Sequence, residues 1–400
     1  MGSIVGTGIF VSIGLAADAA GPAVLLAVLI AAGVATANGL NSAQLAASHP
    51  VSGGTYEYGY RYLTPALGFT AGWLFLFAKT ASAATAALGF SAYLVQVLGW
   101  QGRWARTAVA LLAVALLTAL VLTGLRRSNW LNALLVLLAC GALLLFAGAG
   151  AARVHAGAYG HFFRGGGPGL LEATALAFVA YTGYGRIATM GEEIREPARN
   201  IPRAMIVTLV ASALLYALVA FVLVGMGGRV VQGAPLSAAS AHNPAVAWLV
   251  AQVAMVAMLG VLLNLVLGLS RVWLAMGRRG DMPAILARVN KAGTTPKPAV
   301  VLTGVTIAAL VLIGDIKLTW SFSAFTVLVY YAVTNLAALK LPADRRRFPR
   351  WLAYAGLAAC LFLAFWVDWR AWTAALALIF AGLVWHLLAR WGAADRLTSP

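Results

Sequence analysis

Residues 176–193, LAFVAYTGYGRIATMGEE, decide how the rest of the chain folds. Hydropathy demands a membrane-spanning helix there, yet Gly183 and Gly185 interrupt it beside Tyr181, Thr182, Tyr184 and Arg186. A helix in hydrocarbon must satisfy its own backbone, because an unpaired N–H or C=O costs several kcal/mol. Glycine is the poorest helix former after proline. Such a break persists only where the freed backbone lines a protein cavity or meets a ligand. A second one, residues 2–10 (GSIVGTGIF), stands at the start of the chain and holds Gly2, Gly6 and Gly8.

Composition sets the solvent. Apolar residues make up 62% of the 400 and charged residues 10%, with a mean hydropathy of +0.88. Soluble domains are roughly a quarter charged, so the bilayer, and not a globular core, organises this chain. Cys140 and Cys360 both lie in apolar runs and the five histidines are scattered, which excludes a disulfide frame or a metal site of metal-ligand spacing. The net charge of +17 suggests nucleic acid only until the basic residues are placed. They fall in short loops between apolar runs and report membrane orientation.

Each crossing needs about 20 apolar residues. Spans are predicted at 1–17, 22–47, 64–98, 105–123, 129–148, 170–191, 203–226, 244–274, 298–313, 319–340, 351–367 and 371–389, which is twelve. With Met1 inside, nineteen of the 28 Lys and Arg lie in inner loops and seven outside, leaving Lys79 and Arg186 within spans. That asymmetry puts both termini in the cytoplasm, in a multi-pass protein of the plasma (inner) membrane. In each half the first span is glycine-broken and the third is unusually long, so residues 1–148 and 168–340 form two repeats. Five spans is an odd number, and the second repeat therefore enters from the opposite face. Residues 350–391 supply two peripheral helices outside the repeat. Two broken helices at corresponding places in inverted halves point to the binding site of a secondary carrier.

At the first break, Gly6 and Gly8 let backbone amides turn outward at a half-helix N-terminus, which attracts a carboxylate. The alternative is a small-residue packing face formed by Gly2 and Gly6. No Walker or Rossmann motif and no catalytic pair within the spans is found, so neither an enzyme nor a cofactor is expected.

The segments 2–10 (GSIVGTGIF), 53–63 (GGTYEYGYRYL), 178–205 (FVAYTGYGRIATMGEEIREPARNIPRAM) and 270–283 (SRVWLAMGRRGDMP) resemble the amino acid–polyamine–organocation superfamily of amino acid permeases. The resemblance extends through the tenth span and is most specific in the sixth. It implies an all-α polytopic fold with the LeuT-type five-plus-five inverted repeat and about twelve transmembrane helices. By it, backbone groups of Ile4, Thr7 and Gly8, with Gly6 opening the turn, would meet a substrate carboxylate. Carbonyls around Phe178, Val179 and Thr182 would meet its amino group, and Tyr181 and Gly183 would shape the side-chain pocket. Family members carry a half-helix before the first break and Met1 stands at it, so a truncated first span is expected. Many relatives place a lysine in the fifth span; residues 132–140 (NALLVLLAC) have none, with Ala139 near that position. An acidic residue common after the sixth-span glycine is here Gly185.

Lys79 stands fourteen residues beyond Pro65, roughly 21 Å along a helix, near the bilayer midplane. A cation there costs at least ~2.5–3.5 kcal/mol. It is the candidate proton carrier, or a fixed cation replacing a coupling ion near the first break. The alternative is a lysine that caps broken-helix carbonyls without titrating. Arg186, Glu192 and Glu193, with Arg195 and Arg199 nearby, are candidates for an inner-gate ion-pair network. Asn264 and Ser270 could ligate sodium, although buried hydroxyls usually bond their own helix. Glu172 and Lys317 fall at span ends and need no special role. The expectation is proton-coupled uptake of neutral amino acids by alternating access, with the bilayer and a small-molecule substrate as partners. An amino acid or polyamine exchanger, and a non-translocating amino acid sensor, are the alternatives.

Overall fold

A computed structural model describes residues 4–49, 51, 53–100, 102–124, 129–185, 196–227, 233–290 and 295–398, and among these residues it contains helices and no strand. Fourteen α-helices are described: α1 Ile13–Ala20, α2 Val24–Ser48, α3 Thr55–Tyr62, α4 Pro65–Val97, α5 Arg103–Leu122, α6 Asn129–Ala151 and α7 Gly166–Tyr181. They continue with α8 Pro197–Gly225, α9 Pro235–Ala239, α10 Pro244–Arg279, α11 Lys297–Val311, α12 Ile316–Leu339, α13 Arg350–Ala364 and α14 Trp369–Thr398. Each of the twelve apolar stretches contains one of these helices. Eight helical stretches among the described residues are long and apolar enough to cross a membrane, the first being the run Gly8–Ser48, and Lys297–Val311 and Arg350–Ala364 are shorter apolar helices.

The long helices start where the sequence supplies caps. Thr64 accepts from the N–H of Leu67 ahead of Pro65, and Asn243 accepts from Val246 ahead of Pro244. Proline at the first helical position removes a donor that would be unpaired anyway. These two helices run for 33 and 36 residues, roughly 50 Å each, and must tilt to stay within a bilayer. Helix α10 ends on Gly280, whose φ of 86° is the left-handed cap that glycine adopts without strain. Helix α8 begins at Pro197, which takes the tolerated first position, and carries Pro202 inside it.

Helices α1, α2, α7 and α8 pack on one another, as do α4, α5, α10 and α11. The pairings correspond across the two halves: α4 with α5 matches α10 with α11, α6 with α10 matches α12 with α4, and α6 with α8 matches α12 with α2. The pairs α1 with α7, α2 with α8, α4 with α10 and α5 with α11 are also close and join spans that the expected repeat would make equivalent. Helices α13 and α14 both flank α12, and α14 also packs along α4.

Helices α4 and α12 are the most enclosed, with 78% of their apolar windows buried against 22–44% in the other spans. Their polar side chains are therefore spent on one another and on backbone. Ser82 and Ser323 share a hydrogen bond at 2.8 Å, Ser323 Oγ donates to Ala78 O, and Thr85 bonds Thr319. Nearby, the carboxamides of Asn38, Asn41 and Asn335 bond in a chain that Gln44 carries to the backbone N–H groups of Arg347 and Phe348. At the end of α10, buried Asp281 accepts from Tyr56 Oη at 2.5 Å and Tyr60 Oη at 2.8 Å, with His386 Nδ1 3.8 Å away. Arg279 lies over both phenol rings and pairs with Glu57 at 3.0 Å. Burial, then the bond to Asp281, push the Tyr56 phenol well above its ordinary pKa, so it stays a donor.

Candidate substrate site

Both breaks are present in the described backbone. Residues 4–6 form a turn, a π-helical turn spans Gly8–Ser12, and regular helix resumes at Ile13. In the other, α7 stops at Tyr181 and passes into a 3₁₀ turn over Thr182–Tyr184. Departures of this kind within apolar helices concentrate at functional sites.

The two breaks lie against each other. A Cβ on Gly8 would stand 2.7 Å from the Ala180 Cβ and 2.8 Å from its Cα, so only glycine lets the backbones approach this closely. A Cβ on Gly6 would stand 2.5 Å from Val261 Cγ2 on α10. Tyr216, on α8, donates its hydroxyl to Ile4 O at 2.7 Å, and the same oxygen lies 3.4 Å from Ala180 O. Tyr93 donates to Phe10 O at 2.9 Å, and Trp320 Nε1 donates to Leu176 O at 3.0 Å. Backbone carbonyls at and beside the breaks thus accept from aromatic donors on α4, α8 and α12. Thr7 Oγ1 is buried with no hydrogen-bond partner among the described residues.

Of the expected site residues, Ile4, Gly6, Thr7 and Gly8 lie at the first break, Phe178, Val179 and Tyr181 in the last turn of α7, and Thr182 and Gly183 in the 3₁₀ turn after it. The Phe178 ring meets Tyr331 edge-on at 5.8 Å, Tyr181 packs on Tyr216 at 5.0 Å, and Thr182 Oγ1 donates to Val179 O. Lys79 Nζ donates to Thr182 Oγ1 at 3.0 Å. The expectation placed Lys79 near the first break, and its described hydrogen bond is to the second, which touches the first. Helix α4 passes the end of α7, so a side chain at its midpoint meets the 3₁₀ turn.

Ser270 Oγ bonds Leu267 O in its own helix, whereas Asn264 lines a small cleft with Val5, Asn132 and Val261. Arg186, Glu192, Glu193 and Arg195 lie outside the described residues. Arg199 approaches Glu196 at 4.0 Å with both side chains exposed. At the opposite end of α7, Glu172 pairs with Lys317 of α12 at 2.7 Å, an ion pair that span-end positions alone did not suggest. Sequence reasoning also missed Tyr216, Tyr93, Trp320 and Tyr331. Their common signal is an aromatic donor inside an apolar span, which needs a buried acceptor.

Paired helix breaks in contact at the centre of an apolar helical bundle define a multi-pass membrane protein of the transporter class. The chain belongs to the amino acid permease family, whose model matches residues 1–399, and so to the amino acid–polyamine–organocation superfamily. An uncharacterised transporter of Mycobacterium tuberculosis is 41% identical over 396 residues, covering 96% of this chain and 87% of that one. The methylthioribose transporter of Bacillus subtilis is 30% identical, covering 78% and 72%. The branched-chain amino acid permease BcaP of Bacillus subtilis is 28% identical, covering 97% and 90%.

Proposed function

We propose that the protein is a secondary-active transporter that takes up neutral amino acids with protons by alternating access. The contact between the two breaks carries this reading. A carboxylate is held by N–H groups at Ile4, Gly6, Thr7 and Gly8, at the positive end of a helix dipole. The substrate amine meets carbonyls of Phe178, Val179 and Thr182, while Tyr181 and Gly183 bound the side-chain pocket. Lys79 is the proton-coupling group, since its amine touches the break that receives the substrate amine. A neutral substrate is favoured because, among the described residues, the hydrogen bonds at both breaks involve no Asp or Glu. The branched-chain name of one relative points the same way.

Residues 1–148 and 168–340 are the inverted repeats, and the matched helix pairings support them. The basic inner loops support an inner-membrane protein with both termini cytoplasmic. The test is uptake by proteoliposomes of a labelled panel of branched-chain, cationic and acidic amino acids and methylthioribose. Leucine-type substrates should accumulate when the outside is acid. Absence of both uptake and counterflow for every amino acid would overturn the reading.

A further inference from the structure

Tyr216 belongs to neither break, is 1% exposed, and stands in an apolar run between Leu215 and Ala217. Its hydroxyl is the point where the breaks meet a third helix. It donates to Ile4 O at 2.7 Å and stands 3.4 Å from Ala180 O. The missing side chain of Gly8 makes room for it, since a Cβ there would come within 3.1 Å of the Tyr216 Oη. The ring packs on Tyr181 at 5.0 Å, and this contact does not depend on the hydroxyl.

We infer that Tyr216 is a positioning residue for substrate recognition, its hydroxyl fixing the backbone of the first break against the second. The inference rests on the breaks being the substrate site. A peptide unit is planar, with its C=O and N–H pointing in opposite directions. Anchoring Ile4 O on α8 therefore aims the N–H of Val5 away from α8 and holds the turn that presents Gly6, Thr7 and Gly8. A phenol has one proton to donate. The shorter contact takes it, so the first break is tied firmly and Ala180 O only loosely.

Tyr216→Phe keeps the ring and its packing and removes this bond alone. Its loss leaves a buried acceptor unpaired, and labelled leucine should bind and be transported with a KM raised roughly tenfold at nearly unchanged maximal rate. An unchanged KM, or a lower maximal rate at unchanged KM, overturns the inference. Amide hydrogen exchange over residues 4–8 of the purified protein supplies a second measurement: exchange should quicken in Tyr216→Phe, and equal exchange overturns the clasp. If the wild-type protein binds no amino acid, the transport reading fails separately and the exchange comparison still decides the role of Tyr216. Tyr216→Leu, which removes the ring as well, should lose more thermal stability than Tyr216→Phe; wild-type KM and exchange in Tyr216→Phe with both altered only in Tyr216→Leu would make the residue a packing element and overturn the inference.

Discussion

Replacing Lys79 with methionine separates proton coupling from substrate binding. Methionine fills much of the same volume, and the change removes one buried amine whose described bond is to Thr182 Oγ1 at 3.0 Å. That hydrogen bond involves a charged group when the lysine is protonated and contributes ~1.5–3 kcal/mol. Its loss is offset by no longer burying a cation, so the variant should fold with thermal stability near that of the wild type. The transport effect is larger. One proton moving down 100 mV releases about 2.3 kcal/mol, which sustains a roughly 50-fold accumulation. In proteoliposomes with a potassium-diffusion potential, the wild type should approach that ratio. Lys79→Met should equilibrate leucine to about equal concentrations, with a flat profile across pH 5–8, while still exchanging leucine for leucine. Gradient-driven accumulation by Lys79→Met with the wild-type pH profile would refute the coupling role.

Gly8→Ala forces a Cβ to 2.7 Å from Ala180 Cβ, so it should cost ~1–3 kcal/mol of stability and abolish leucine binding measured by calorimetry. Gly6→Ala meets only the Val261 side chain, and the double variant Gly6→Ala/Val261→Ala should recover the binding that the single change loses. Asp281→Ala strips the acceptor from Tyr56 and Tyr60 and should destabilise by ~1.5–3 kcal/mol in thermal inactivation, with Asp281→Asn intermediate. Asn335→Ala leaves Asn41 Nδ2 and Asn38 Oδ1 without their partner, at ~1–3 kcal/mol each, and should lower the inactivation temperature more than an exposed-face control such as Leu387→Ala.

Hydropathy exposed every apolar stretch that holds a helix, because the cost of unpaired backbone in hydrocarbon leaves little alternative to helix there. It also exposed both breaks, since paired glycines among polar residues are anomalous in a span. Lys79 stood out on energetic grounds, but linear distance along α4 cannot choose between two breaks that touch, and its described bond is to the second. Tyr216 carries no pattern at all: one tyrosine in an apolar helix has the same local sequence whether its hydroxyl faces a headgroup or a broken backbone. Asp281 has no local signal either, since its partners Tyr56 and Tyr60 lie more than 220 residues away in a short helix that has no hydropathy signal. Ser270 followed the ordinary rule and bonded its own helix.

The packing bears on the proposed alternating access. Helices α1, α2, α7 and α8 form one group and α4, α5, α10 and α11 another, with α12 packed against both. Tyr216 ties the first break to α8 and α7 carries the second, so both belong to the first group. Lys79 and Tyr93 reach them from the second group, each through a single hydrogen bond. On the proposed alternating-access reading, rocking one group against the other breaks few polar contacts at the breaks and keeps the proposed carboxylate-binding backbone together. It would also change what Lys79 faces, because the amine would exchange Thr182 for water once the groups separate, so the proposed coupling role ties the partner of the amine to the access of the site. A coupling lysine on either break itself would move with the substrate and sense no such difference.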